Sequence, residues 1–206
     1  MSHDFLLAVL TYLIATASPG PSNLALMTVA MNHGRRVALA MACGIISGST
    51  WWGAMAVLGF AGVLQTYTEV LVLLKVLGAA YLFWLALISL RRVFVTASTS
   101  TSLPESRATF AAHYQRGLKL HLSNPKAIFT WLAIASLSAQ GTTTWRDNVL
   151  LLLVCVATGA GVFFTYAVVF STKPVQRCYL RWQRLMHLIM TLTFGLAAGK
   201  LLAADE

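Results

Sequence analysis

The sequence predicts an all-α, polytopic membrane domain of six transmembrane helices, arranged as a 3+3 inverted repeat whose first and fourth helices are broken. Three observations carry this. Of 206 residues, 58% are hydrophobic and 10% charged, which is about 120 apolar residues, or six stretches of the roughly 20 needed to cross a bilayer's hydrocarbon core. Basic residues gather in alternate polar breaks between those stretches, and a polar, proline-containing motif opens each half of the chain. The same composition excludes a soluble domain, a disordered chain, which would be polar and charge-rich, and a disulfide-stapled fold, which needs more than three cysteines.

The polar breaks place spans near residues 5–31, 37–62, 70–90, 117–139, 148–171 and 185–204. Arg35 and Arg36 follow the first span. Arg91, Arg92, Arg107, Arg116 and Lys119 follow the third, and Lys173, Arg177, Arg181 and Arg184 the fifth. Eleven of fifteen basic residues therefore fall in three breaks that face one side, which the positive-inside rule makes cytoplasmic. The net charge of +9 is thus an orientation signal and calls for no nucleic-acid partner. Asp4, Glu69, Asp147, Asp205 and Glu206 lie in breaks on the other side, with Glu105 alone inside. Both termini are expected outside, on the face opposite the cytoplasm.

Taken in order, the first span begins like a secretory signal, Phe5 to Ile14 followed by Ala15-Thr16-Ala17, but it has no basic flank and runs on through Pro21 to Met31, so an uncleaved span is expected. The second carries Gly44 and Gly48 in a GxxxG pair, with Gly53 and Gly59 beyond, which suits close helix packing, within the chain or across a homodimer. In the third, Lys75 is read as a residue snorkelling outward. Residues 93–108, rich in Ser and Thr, form a cytoplasmic linker between repeat 1 (1–92) and repeat 2 (109–206) of a single transmembrane domain. The fifth span, with Gly159 and Gly161, mirrors the second. Trp51, Trp52, Tyr81, Trp84, Phe163, Phe164 and Tyr166 are expected mainly to pack rather than to line a pathway.

The first span of each half is interrupted: Ser18-Pro19-Gly20-Pro21-Ser22-Asn23 in one, Ser123-Asn124-Pro125-Lys126 in the other. Proline inside a helix removes a donor and clashes with the preceding turn, at about 3 kcal/mol or more. Broken helix at membrane depth is tolerated only where protein or a water-filled cavity covers it. Because three spans per half is odd, the halves are inverted and the two breaks meet near the centre, offering amides to an anion and carbonyls to a cation. These ten residues are the candidate substrate-binding or gating site. Alternatively the polar groups only cap the broken ends and Lys126 snorkels to the interface. His121, one turn before Asn124, is the candidate proton-responsive group, although an interfacial place near Arg116 and Lys119 is the reading the sequence favours; His187 is read as interfacial.

Ser-Pro-Gly-Pro in the first span, Leu74 to Ala86 (LKVLGAAYLFWLA) in the third, and Arg116-Gly117-Leu118 leading to Leu122-Ser123-Asn124-Pro125-Lys126-Ala127 in the fourth are similar to the LysE superfamily of amino-acid exporters, in particular the threonine-exporter type of its RhtB branch. The resemblance covers nearly the whole chain. It implies a small inner-membrane secondary transporter exporting threonine- or homoserine-like or other neutral amino acids, driven by the proton gradient. The chain departs from many relatives in lacking a carboxylate in the second span, around Gly44 to Ser49, and in the fifth, near Thr158. No acid falls in any expected span, so the usual carboxylate proton relay has no candidate.

Cys43, Cys155 and Cys178 are far apart, with no CxxC and no His or acid cluster, so no metal, cofactor or thiol exchange is expected. No nucleotide loop or nucleophile motif occurs, and the chain is not expected to be an enzyme. The partners expected are an amino-acid substrate and the lipid bilayer. The competing readings are a non-transporting membrane scaffold or an exporter of some other solute.

Overall fold

The computed structural model describes residues 3–56, 76, 79–80, 83–84, 86–91, 93–94, 109–139 and 144–203. Lys75, Gly59, Tyr81, most of the expected third span and residues 95–108 of the expected linker lie outside the described residues. Among the described residues all regular structure is helical. The helices are α1 (His3–Ala17), α2 (Pro21–Met55), α3 (Phe110–Leu122), α4 (Pro125–Ala139), α5 (Trp145–Val169) and α6 (Lys173–Ala203), with further helical residues between 76 and 94. The chain divides into two compact units. One comprises Met1–Gln65 and Ala108–Lys173, and so holds α1 to α5; the other comprises Thr66–Arg107 and Pro174–Glu206.

In the first unit, α1 stops at Ala17 and α2 starts at Pro21, so the expected first span is two helices. Pro21 sits in the first position of α2, where its missing N–H costs nothing. α2 in turn runs through the boundary expected between the first two spans, its only interruption being Gly34 at φ 80°, ψ 179°. That conformation is open essentially to glycine. One residue therefore replaces the expected polar loop at 32–36. Leu26, Val29 and Ala30 before it and Ala38, Met41, Ala42 and Ile45 after it share one buried cluster with Phe163 and Ala167 of α5.

The expected fourth span is also two helices. Thr109 caps α3, its hydroxyl accepting from the Ala112 amide at 3.3 Å. The buried residues His113, Gly117 and His121 recur every four positions and so form one face. Gly117 and Gly44 let α3 lie backbone-to-backbone on α2: a Cβ on Gly44 would run into the Tyr114 carbonyl oxygen, and one on Gly117 into that of Met41. Gly48 faces the His121 side chain. Both glycines of the GxxxG pair are thus used within the chain.

α5 opens on a capping box. Asp147 accepts from the Thr144 amide at 2.9 Å and from its hydroxyl at 2.8 Å, while the Asp147 amide donates back to that hydroxyl. At 25 residues α5 is long enough, and beyond Asn148 apolar enough, to cross a bilayer. A second core holds Ala8 and Tyr12 of α1, Trp131 and Ile134 of α4, and Leu151 and Cys155 of α5.

α6, which belongs to the second unit from Pro174 onward, has 31 residues and starts at Lys173, twelve positions before the expected sixth span. Pro174 lies in its first turn, where proline is tolerated. Lys173, Arg177, Arg181 and Arg184, expected in a loop, are helical, and their spacing of four, four and three places them along one face.

Candidate functional site

A helix that stops inside a protein leaves its last carbonyls without partners. At the end of α1 each is accounted for, and the partners come from four different elements. The Ser18 amide donates to the Ile14 oxygen at 2.9 Å and the Ser18 hydroxyl to that of Ala15 at 2.8 Å. Asn23 Nδ2, on α2, donates to the Thr16 oxygen at 3.0 Å, and the Tyr166 hydroxyl, on α5, to that of Ala17 at 2.8 Å. The Ser18 oxygen accepts from Lys126 Nζ of α4 at 2.6 Å, and Nζ also donates to the Ser18 hydroxyl oxygen at 2.8 Å. A single cation therefore ties the second break to the first. The N-terminus of α2 is treated differently, because Gly20 at the cap position has no side chain to accept from its amides.

At the second break, α3 ends at Leu122 and Asn124 caps α4, its Oδ1 accepting from the Lys126 amide at 3.1 Å. Pro125 then takes the first helical position. The other side of the Asn124 amide crosses to α2, with Nδ2 donating to the Ser22 hydroxyl at 2.9 Å. Ser22 Oγ also lies 3.1 Å from His121 Nδ1. Having accepted from Asn124, the hydroxyl still has its own proton to donate to that nitrogen. His121 sets its ring edge-on to Phe163 of α5, centroids 5.8 Å apart.

These groups enclose a cavity of about 30 Å³ lined by Tyr12, Ser22, Asn23, Ser49, His121, Asn124, Lys126, Trp131 and Phe163, with Ala15, Thr16, Ala127 and Thr130. Its far wall is a second polar cluster: Trp131 Nε1 donates to Ser49 Oγ at 3.1 Å, Tyr12 Oη lies 2.8 Å from the same oxygen, and the two rings pack with centroids 5.0 Å apart. No acid is among the described residues that line the cavity. No group of three His, Cys, Asp or Glu able to hold a metal occurs among the described residues.

The candidate residues divide as follows. Ser22, Asn23, Asn124 and Lys126 line the cavity, and Ser18 binds Lys126 at its edge. Pro19, Gly20 and Pro21 make the break; a Cβ on Gly20 would lie 2.8 Å from Lys126 Cδ and 3.0 Å from Nζ, so the glycine gives the lysine its path. Ser123 is not brought to the cavity: it is exposed, and its hydroxyl donates to the Lys119 carbonyl of its own helix at 2.9 Å. His121 is buried, and Lys126 turns inward to Ser18 rather than outward. His187 is also buried. Phe163, weighted toward packing, does both, and Tyr166 caps α1, while Trp51 and Trp84 are more than half exposed. Tyr12, Ser49 and Trp131 had no sequence signal beyond a polar atom on an otherwise apolar helix.

The fold and the site define a helical membrane protein in which two broken helices close around a buried polar cavity. The chain belongs to the family of LysE type translocators, whose model matches residues 13–205. It is 29% identical to the threonine efflux protein of Escherichia coli (strain K12) over 180 residues, 86% of each chain. An uncharacterized membrane protein of the same organism, YahN, is 27% identical over 202 residues, 97% of this chain and 89% of that one. The leucine efflux protein of Salmonella choleraesuis (strain SC-B67) is 30% identical over 118 residues, 56% of this chain and 53% of that one. No solved structure matches.

Proposed function

We propose that the protein is a secondary transporter that exports a small amino acid from the cytoplasm across a bacterial inner membrane, with the cavity between the two breaks as its central site. The observation that carries this reading is the pair of broken ends at one cavity. The C-terminus of α1 presents the Ser18 carbonyl to a cation, and α2, uncapped by any side chain at Gly20, presents its N-terminal amides to an anion. A zwitterion's ammonium and carboxylate fit those two poles, with the Asn124 and Ser22 side chains beside them. The names of the threonine and leucine efflux relatives support both substrate class and direction. A cavity of about 30 Å³ holds one or two waters. An amino acid needs more room than that, and in this reading it enters when the broken helices part.

The 3+3 inverted arrangement is part of the same reading. It is supported by the matching breaks and by the division of the chain, in which the first, second, fourth and fifth expected spans fall mainly in one unit and the third and sixth mainly in the other. Each unit thus draws on corresponding parts of both halves.

The test is efflux of labelled threonine, homoserine, leucine, lysine or arginine from loaded right-side-out membrane vesicles. Pro19→Ala and Asn124→Ala are expected to abolish efflux while the protein still inserts. Normal efflux in both variants overturns the site assignment, and no efflux of any amino acid by the wild type overturns the function.

A further inference from the structure

Among the described residues lining the cavity there is no carboxylate to carry a coupling proton, yet there is a lysine. Of the carbonyls at the end of α1, those of Ile14, Ala15, Thr16 and Ala17 are held by an amide, a serine, an asparagine and a tyrosine; the Ser18 oxygen alone is held by an ammonium, that of Lys126. The Ser18 hydroxyl completes a two-acceptor seat for it. A substrate's ammonium has the same donor chemistry and needs the same kind of seat. The lysine reaches it along a path left open by the missing side chain of Gly20.

We propose that Lys126 is the proton carrier of this transporter, and that its ammonium and the substrate's ammonium occupy the Ser18 seat by turns. This rests on reading the cavity as an amino-acid site. When substrate enters from the cytoplasm, an N–H bond of Lys126 breaks, the electron pair stays on Nζ, and the proton passes to cytoplasmic water; the substrate ammonium then donates to the Ser18 oxygens. After release on the other side, Nζ takes a proton from external water and returns to the seat. One proton enters for each amino acid that leaves, and the seat holds one positive charge in either state. Antiport follows because two occupants exclude each other from a single position, with no second titrating site.

The other titratable groups near Lys126 are few. His121 of α3 and Tyr12 of α1 line the cavity, while Tyr166 and Cys155 of α5 touch its surroundings through Ala17 and the core around Tyr12. α2 contributes only Ser22, Asn23 and Ser49 to the lining. Among the described residues that line the cavity, His121 is the rival for the proton that titrates nearest neutral pH.

The experiment measures binding of tritiated L-threonine and L-leucine to purified protein, below the pH range in which the ligands' own ammonium groups titrate, together with proton release into weak buffer. Wild-type protein is expected to bind more tightly as pH rises and to release a proton on binding. Lys126→Gln, having lost the competing cation, is expected to bind without pH dependence and without proton release. Lys126→Arg, whose cation cannot give up its proton, is expected to bind weakly at every pH. If the lysine instead pairs with the substrate carboxylate, the order reverses: arginine binds, glutamine does not, and the proposal fails. Absence of proton release from wild type that binds ligand overturns it without recourse to either variant. So does a pH dependence that disappears in His121→Gln and survives in Lys126→Gln. If wild-type protein binds neither these nor any other amino acid, the reading of the cavity itself falls, and the proposal with it.

Discussion

At the residue scale, the side chains of Ser18, Asn23, Asn124, Lys126 and Tyr166 each bond a backbone group that a helix break leaves without its helical partner. Asn124 shows how tightly these roles are joined: one end of its amide caps α4 and the other reaches Ser22 on α2. Its replacement by alanine is expected to cost about 1 kcal/mol of stability for the cap alone, on top of the loss of efflux. Gly20→Ala separates position from chemistry. The added Cβ meets only the far end of a flexible lysine, so thermal stability in detergent is expected to change little while transport falls, because Lys126 is pushed off Ser18. Normal transport by Gly20→Ala would show that the glycine's space is not needed.

His113, outside the expected spans, gives a pH dependence with a definite sign. Burial, then His33 and Arg116, hold its imidazole below the ordinary value of 6.5. The His33 ring centroid lies 5.5 Å away, and His113 Nδ1 has no hydrogen-bond partner among the described residues. The unfolded chain therefore binds this proton more readily than the folded one. The stability that depends on neutral His113 is complete above pH 6.5 and is lost as pH falls through the window below it. His113→Gln is expected to narrow the gap between melting temperatures measured at about pH 7.5 and about pH 5.5; an unchanged gap assigns the acid sensitivity elsewhere.

At the scale of elements, two devices shape the first unit. Gly34 turns the chain in one residue, and Gly34→Ala is expected to cost about 1–3 kcal/mol because a Cβ there meets a forbidden backbone conformation rather than any neighbour. The α2–α3 crossing is the reverse case. The backbone at Gly44 is helical and unstrained, but valine there must force the two helices apart, at about 1–3 kcal/mol or more. Both variants are measured by thermal unfolding in detergent; unchanged stability in Gly44→Val would deny the backbone contact. Much of this level was legible. The breaks at Pro19–Pro21 and Pro125 follow from local rules that read a few adjacent residues; the capping box at Thr144 obeys the same kind of rule but was not read from the sequence. The extension of α6 to Lys173 was missed because a run of basic residues reads equally well as a polar loop or as one charged helix face.

For the whole molecule, membership of the LysE type translocators and the apolar composition agree on a helical membrane protein. The orientation argued from basic residues is testable on the intact chain. A C-terminal reporter active only in the periplasm is expected to be active, and cytoplasmic activity would invert the topology. The sequence by itself determined the membrane class, the places where helices break and the polar residues beside the breaks, because each depends on composition or on neighbours along the chain. Only the tertiary structure decided what those residues touch. Lys126 and Ser18 lie 108 positions apart, and His121 and Ser22 lie 99 apart. Tyr12, Ser49 and Trp131, which have no motif, form the far wall of the same cavity. Ser123, one residue from Asn124, faces away from it. Polar contacts are directional and short, so a site assembled from five helices depends on the rotation and approach of each, and those are set by the packing of Gly44 on α3 and of Phe163 and Ala167 in the core rather than by the order of residues in the chain.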